Sequence, residues 1–96
     1  DKPLFRGHLA LAKLGAKELV PNLDDLVREL AEAPCGQGYG RFVLGHLSFA
    51  KGDWDGAKAY LEAFLKRSES GRPSMLIALR GELAMARATL AKMSAN

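Results

Sequence analysis

Apolar residues recur at helical spacing along almost the whole chain, and no segment shows the apolar–polar alternation of a half-buried strand. The clearest example is the series Tyr39, Phe42, His46 and Phe49, whose spacing of three or four residues places all four on one face of a helix. The same periodicity predicts five helices, near residues 3–14, 22–33, 39–51, 54–68 and 73–93. The fold class that follows is all-α.

Polar and conformationally restricted residues mark the ends of these predicted helices. Asn22 and Asp53 precede apolar stretches and are candidate N-caps, because their side chains can accept a hydrogen bond from the first turn. Pro34 ends the second helix, since the residue before a proline avoids the helical region. Pro73 opens the last helix, where a proline is well tolerated.

One pattern of seven residues occurs three times, beginning at Gly7, Gly45 and Gly81. Each copy reads small–x–Leu–small–apolar–Ala–basic, the copies are almost evenly spaced, and an apolar residue stands two places before each glycine, at Phe5, Val43 and Leu79. A glycine inside a helix costs about 1 kcal/mol relative to alanine. The three equivalent glycines therefore predict a closely packed neighbouring helix at each position.

The middle of the chain carries three features in a fixed order, an apolar–small pair, a Gly-Asp-aromatic turn and a small residue, at Leu44-Gly45, Gly52-Asp53-Trp54 and Ala57. Together they resemble a tetratricopeptide repeat, a family in which a buried alanine follows such a turn. Two residues depart from that pattern. Ser48 stands where the family prefers a large aromatic residue, and Glu69 stands where a proline often ends the repeat.

The resemblance covers nearly the whole chain as about two and a half repeats, and it implies a single domain over residues 1–96. It further implies antiparallel helix pairs stacked as a short right-handed superhelix, with the last helix capping the C-terminal end. The first helix of each pair would line the concave face. Members of this family are typically docking scaffolds without an active site, so the implied function is protein–protein interaction.

The resemblance also implies which residues line the concave face and contact a partner: Tyr39, Phe42, His46, Phe49, His8, Leu11, Glu82 and Met85. Apolar anchors with polar groups around them suit a helix or an extended peptide of another protein. For Phe42 and Phe49 a place in the core is an equally good alternative. A second alternative is a structural role, in which the apolar face packs on a neighbouring domain or on a second copy as a homodimer.

Charge and composition argue against several other classes. The 14 Lys and Arg residues are interleaved with 11 Asp and Glu residues and form no basic run, so we expect no nucleic-acid binding. No stretch approaches the roughly 20 apolar residues of a membrane helix, so we expect no membrane partner. The single Cys35 has no activating base nearby in sequence, and His8 and His46 are far apart in the chain. We therefore expect no catalytic residue, no metal and no cofactor.

The chain begins at Asp1 without a methionine or a signal-peptide pattern, which predicts a piece of a longer protein. The sequence consequently leaves the cellular location open, with the cytoplasm favoured. The identity of the partner depends on the parent protein, because an interaction module takes its biological role from what it is attached to.

Overall fold

The computed structural model describes residues 2–33 and 39–95, which form six α-helices. The helices are α1 (Lys2–Gly15), α2 (Leu23–Glu32), α3 (Gly40–Ala50), α4 (Trp54–Glu69), α5 (Pro73–Ala78) and α6 (Arg80–Ser94). No strand occurs in these two ranges, which confirms the all-α class. Asp1 and the predicted turn at Pro34 and Cys35 lie outside the described residues.

The ends of the helices lie where the sequence signals predicted at the four positions that can be compared, although the predicted side-chain bond is missing at one of them. The Asp53 carboxylate accepts a hydrogen bond from the Gly56 N–H at 3.0 Å and so caps α4. Pro73 lies in the first turn of α5, and Ala33 is extended after the end of α2. Asn22 occupies the N-cap position of α2 as predicted, but its backbone is left-handed (φ 59°) and its side chain makes no capping bond.

The predicted last helix over residues 73–93 is interrupted, and this corrects the sequence interpretation. Leu79 adopts φ −102° and ψ 15°, between the α and β regions, and separates α5 from α6. α5 contacts α4 and α6, but none of its residues is buried, so little packing holds α5 in line with α6. Gly81 lies two residues after the break and lowers the local helix propensity. The apolar periodicity continues across Leu79 and therefore did not reveal the break.

The helices pack as consecutive neighbours. α1 contacts α2, α2 contacts α3, and α3 makes its most extensive contact with α4 across the short turn at 51–53. In addition α1 lies against α3, and α6 lies against both α3 and α4. As a result α3 is covered on several sides, and its residues from Phe42 to Ser48 are all buried. The hydrophobic core is centred on α3 and includes Leu30, Leu61, Phe64 and Leu83.

Two of the three repeated glycines allow a close helix contact, as the sequence predicted. A Cβ atom built on Gly7 would lie 2.8 Å from Cγ1 of Val43, and one built on Gly45 would lie 2.5 Å from Cδ2 of Leu61. The prediction was wrong for Gly81, because a Cβ atom built there would meet no described residue within 4 Å. α4 packs against α3 at Gly45, and no described helix packs against α6 at the equivalent Gly81.

Candidate functional site

Seven of the eight predicted partner-binding residues lie on α1, α3 and α6, and Tyr39 is the N-cap residue directly before α3. These three helices pack beside one another in that order. We call the surface that these residues mark the first-helix face, because each helix carries one copy of the repeated pattern. Six of the eight form two sets at equivalent positions of the three copies, and Tyr39 and Phe42 precede the second copy. The structure decides which of them are accessible to a partner and which are enclosed by the protein itself.

A row of three polar and aromatic side chains crosses the first-helix face from α1 to α6. The ring of His8 lies 5.8 Å from the ring of Tyr39, measured between centroids. The Tyr39 hydroxyl then donates a long hydrogen bond of 3.3 Å to Oε2 of Glu82. Burial and the neighbouring Glu82 carboxylate raise the pKa of Tyr39, so its hydroxyl stays protonated as a donor. His8 is exposed, and the other two side chains are half-buried.

His46 is enclosed rather than open to a partner, with only 7% of its surface exposed. Nδ1 lies 2.9 Å from the carbonyl oxygen of Phe42, to which it donates, and Nε2 lies 3.0 Å from the Thr89 hydroxyl, from which it accepts. Burial lowers the pKa of His46, which keeps the imidazole neutral in this arrangement. The residue thus links α3 to α6, and both of its ring nitrogens are engaged within the protein.

The two phenylalanines of the predicted aromatic series have different places. Phe42 is 5% exposed and packs between His46 and Phe64, with ring centroids 4.7 Å and 5.4 Å away, so the core alternative holds for it. Phe49 is half-buried and stacks on Trp54 at 5.6 Å with an angle of 19° between the rings. A partner on the first-helix face would meet Phe49 and not Phe42.

The remaining two residues of the set give the face its apolar surface. Leu11 is half-buried against the core, and Met85 on α6 is 49% exposed. The accessible part of the first-helix face therefore consists of His8 and Met85, together with the exposed portions of the half-buried members. Both Phe42 and His46 are enclosed beneath it.

Trp54 is a candidate contact that the sequence interpretation did not assign to a partner. It is 39% exposed, stacks on Phe49 and lines a cavity of about 260 Å³ between α4 and α6. The other residues that line this cavity are Asp55, Lys58, Glu62, Leu90, Met93 and Ser94. The signal for it was present in the Gly-Asp-aromatic turn, which fixes Trp54 directly after the capping Asp53.

The described parts of the chain show no metal-binding arrangement, since no group of three His, Cys, Asp or Glu side chains is close enough to hold an ion. Among the same residues, no helix combines the length and the apolar character needed to cross a bilayer. Comparisons of the chain with models of protein families, with curated proteins and with solved structures give no match. The tetratricopeptide resemblance therefore stays a prediction.

Proposed function

We propose that this chain is a protein–protein interaction module that holds a peptide or helix of a partner protein on the first-helix face. In this proposal the helix pairs form a short right-handed superhelix of the tetratricopeptide type, with α6 as the cap. The observation that carries the proposal is the row His8–Tyr39–Glu82, which joins three helices into one continuous surface. The module acts as a scaffold and performs no catalysis.

The accessible groups of the face define the chemistry of the partner. Met85 is 49% exposed and offers a flexible, polarisable apolar contact that adapts to the shape of a bound side chain. His8 and Glu82 offer polar contacts on the same face. A segment that combines an apolar side chain with neighbouring hydrogen-bonding groups fits this arrangement, as in other helix and peptide recognition modes.

A self-association or domain-packing role is the second candidate, and α5 is the observation that favours it. This helix of six residues exposes three large apolar side chains, with Met75 at 39%, Leu76 at 37% and Ile77 at 76%. Contiguous exposed apolar residues of this kind mark interaction surfaces in soluble proteins. In this alternative α5 packs on a neighbouring domain or on a second copy of the chain.

The experiment that tests the proposal captures partners from a lysate on the immobilised chain and then titrates one identified partner against variants. Met85→Ser and His8→Ala remove accessible groups of the first-helix face, and Ile77→Ser removes an exposed apolar residue of α5 as the matched control. We expect the first two variants to weaken binding and the control to leave it unchanged. The reverse pattern would favour α5 as the interface and contradict the proposal.

A further inference from the structure

The outer side of α1 exposes apolar residues whose counterparts elsewhere in the chain are covered. Phe5 is 64% exposed and Leu9 is 46% exposed. In the second copy of the repeated pattern the equivalent residues are Val43 and Leu47, and both are 0% exposed. In the third copy the counterpart of Leu9 is Leu83, which is 3% exposed. The leucine position is therefore sealed in both later copies and open on α1. The position two residues before the glycine is sealed at Val43, half-buried at Leu79 and open at Phe5.

The cover of these positions comes from the preceding helix pair. Val43 packs against α1 at Gly7, whose Cβ position lies 2.8 Å from Cγ1 of Val43, and α2 also lies against α3. In the same way α3 and α4 both lie against α6. The contact that buries the apolar positions of the pattern is therefore made twice within this molecule, each time by a preceding pair of helices.

The last residue of the pattern indicates which charge the covering helix carries. The last residue of each copy is basic, at Lys13, Lys51 and Arg87. Nζ of Lys51 lies 2.6 Å from the Asp24 carboxylate of α2, and Nη2 of Arg87 lies 3.6 Å from the Glu69 carboxylate of α4. In both cases the second helix of the preceding pair supplies the acid. α1 itself contains basic residues and no acidic residue.

We propose that Phe5, Leu9 and Lys13 form a docking site on α1 for an amphipathic helix that carries a carboxylate. Such a helix would contact α1 as α2 contacts α3 and as α4 contacts α6. The apolar side of this helix covers Phe5 and Leu9, and its acid pairs with Lys13. Symmetric pairing of two α1 helices is disfavoured, because it would bring like charges together. The site is separate from the first-helix face, and the occupant is a different helix.

The probe for this site is a capped, fluorescently labelled peptide of residues 53–71, which contains α4 and its Asp53 cap. Titration against the full chain should give saturable binding with a Kd below about 1 mM, which is the effective concentration that a short linker would provide. Leu9→Ser should weaken binding about tenfold through the lost apolar contact. Phe5→Ser, tested separately, should give a similar loss. Both residues are exposed, so melting curves of the free variants should stay close to that of the wild type.

Two further variants separate this docking mode from nonspecific apolar adhesion. Leu19→Ser removes a leucine that is 93% exposed outside α1, and it should leave the affinity unchanged. Lys13→Glu should weaken binding about two- to fivefold, and a peptide with Glu69→Lys should restore it. Absence of saturable binding, or an equal loss with Leu19→Ser, would overturn the proposal. Analytical sedimentation of the chain alone tests whether a second copy of the chain occupies the site instead. A dimer that Leu9→Ser abolishes would show self-association and overturn the proposal.

Discussion

Gly45 and Leu61 are in such close contact that a Cβ atom built on Gly45 would lie 2.5 Å from both Cγ and Cδ2 of Leu61. Leu61 is fully buried, so its side chain has no free space into which it could move. The glycine therefore sets the distance at which α3 and α4 pack. Gly81 holds the same place in the repeated pattern, yet no atom of the described part of the chain lies within 4 Å of its Cβ position.

This contrast predicts opposite effects for the same substitution at the two glycines. Gly45→Leu should overpack the contact between α3 and α4 and lower the free energy of unfolding by about 1–3 kcal/mol. Gly81→Leu has open space and should raise it by up to about 1 kcal/mol, because leucine favours the helix over glycine. Urea-induced unfolding followed by circular dichroism measures both values. Equal effects of the two substitutions would show that Gly45 is not constrained by Leu61.

Ser48 should be a position where removal of a polar group stabilises the protein. Its side chain is 1% exposed, and its hydroxyl oxygen is buried without a hydrogen-bond partner among the described residues. Because an unsatisfied buried hydroxyl carries a desolvation cost, Ser48→Ala should raise the free energy of unfolding by about 1 kcal/mol. Ser74→Ala, at an exposed position, is the control and should change stability by less than about 0.5 kcal/mol. A clear loss of stability in Ser48→Ala would contradict this assignment.

The buried His46 should make stability depend on pH. Its pKa is lowered from 6.5 by burial, so the unfolded chain takes up a proton at a pH where the folded protein does not. The stabilising contribution is therefore fully present above pH 6.5 and is lost as the pH falls through the folded pKa. Thermal melts between neutral and acidic pH measure this change.

The controls for that pH dependence are substitutions at the two histidines. His46→Gln should be less stable at neutral pH, because it disturbs the bonds to Phe42 and Thr89, and should lose the part of the pH dependence that belongs to His46. His8→Ala removes an exposed histidine and should keep this dependence. If His46→Gln melts with the same pH profile as the wild type, His46 is not the titrating group.

The sequence predicted the helices well because their ends carry local signals. Asp53 caps α4 and Pro73 begins α5 as expected, since each acts through the nearest turn of backbone. The break at Leu79 was not predictable in this way. It depends on how extensively the helix before it packs, and α5 touches α4 and α6 without burying any residue. The sequence likewise located Asn22 at the N-cap of α2 but did not reveal its left-handed backbone or the missing side-chain bond.

The candidate site was predictable as a set of positions but not as a surface. Helical spacing placed Tyr39, Phe42, His46 and Phe49 on one face. The spacing does not predict which other helices cover that face. Contacts from α6 and α4, such as Thr89 with His46, decide that Phe42 and His46 are enclosed. These contacts join residues that are distant in sequence, and they depend on the spacing between helices.

The most direct test of the proposed function uses the three methionines of the chain as reporters. Met85 lies on the first-helix face, Met75 lies on α5, and Met93 lines the cavity beside Trp54. We would label the methionine methyl groups with ¹³C and record their resonances while the captured partner is added. We predict that the Met85 resonance shifts or broadens with saturation, while that of Met75 stays unchanged. A change confined to Met75 would place the partner on α5 and contradict binding at the first-helix face.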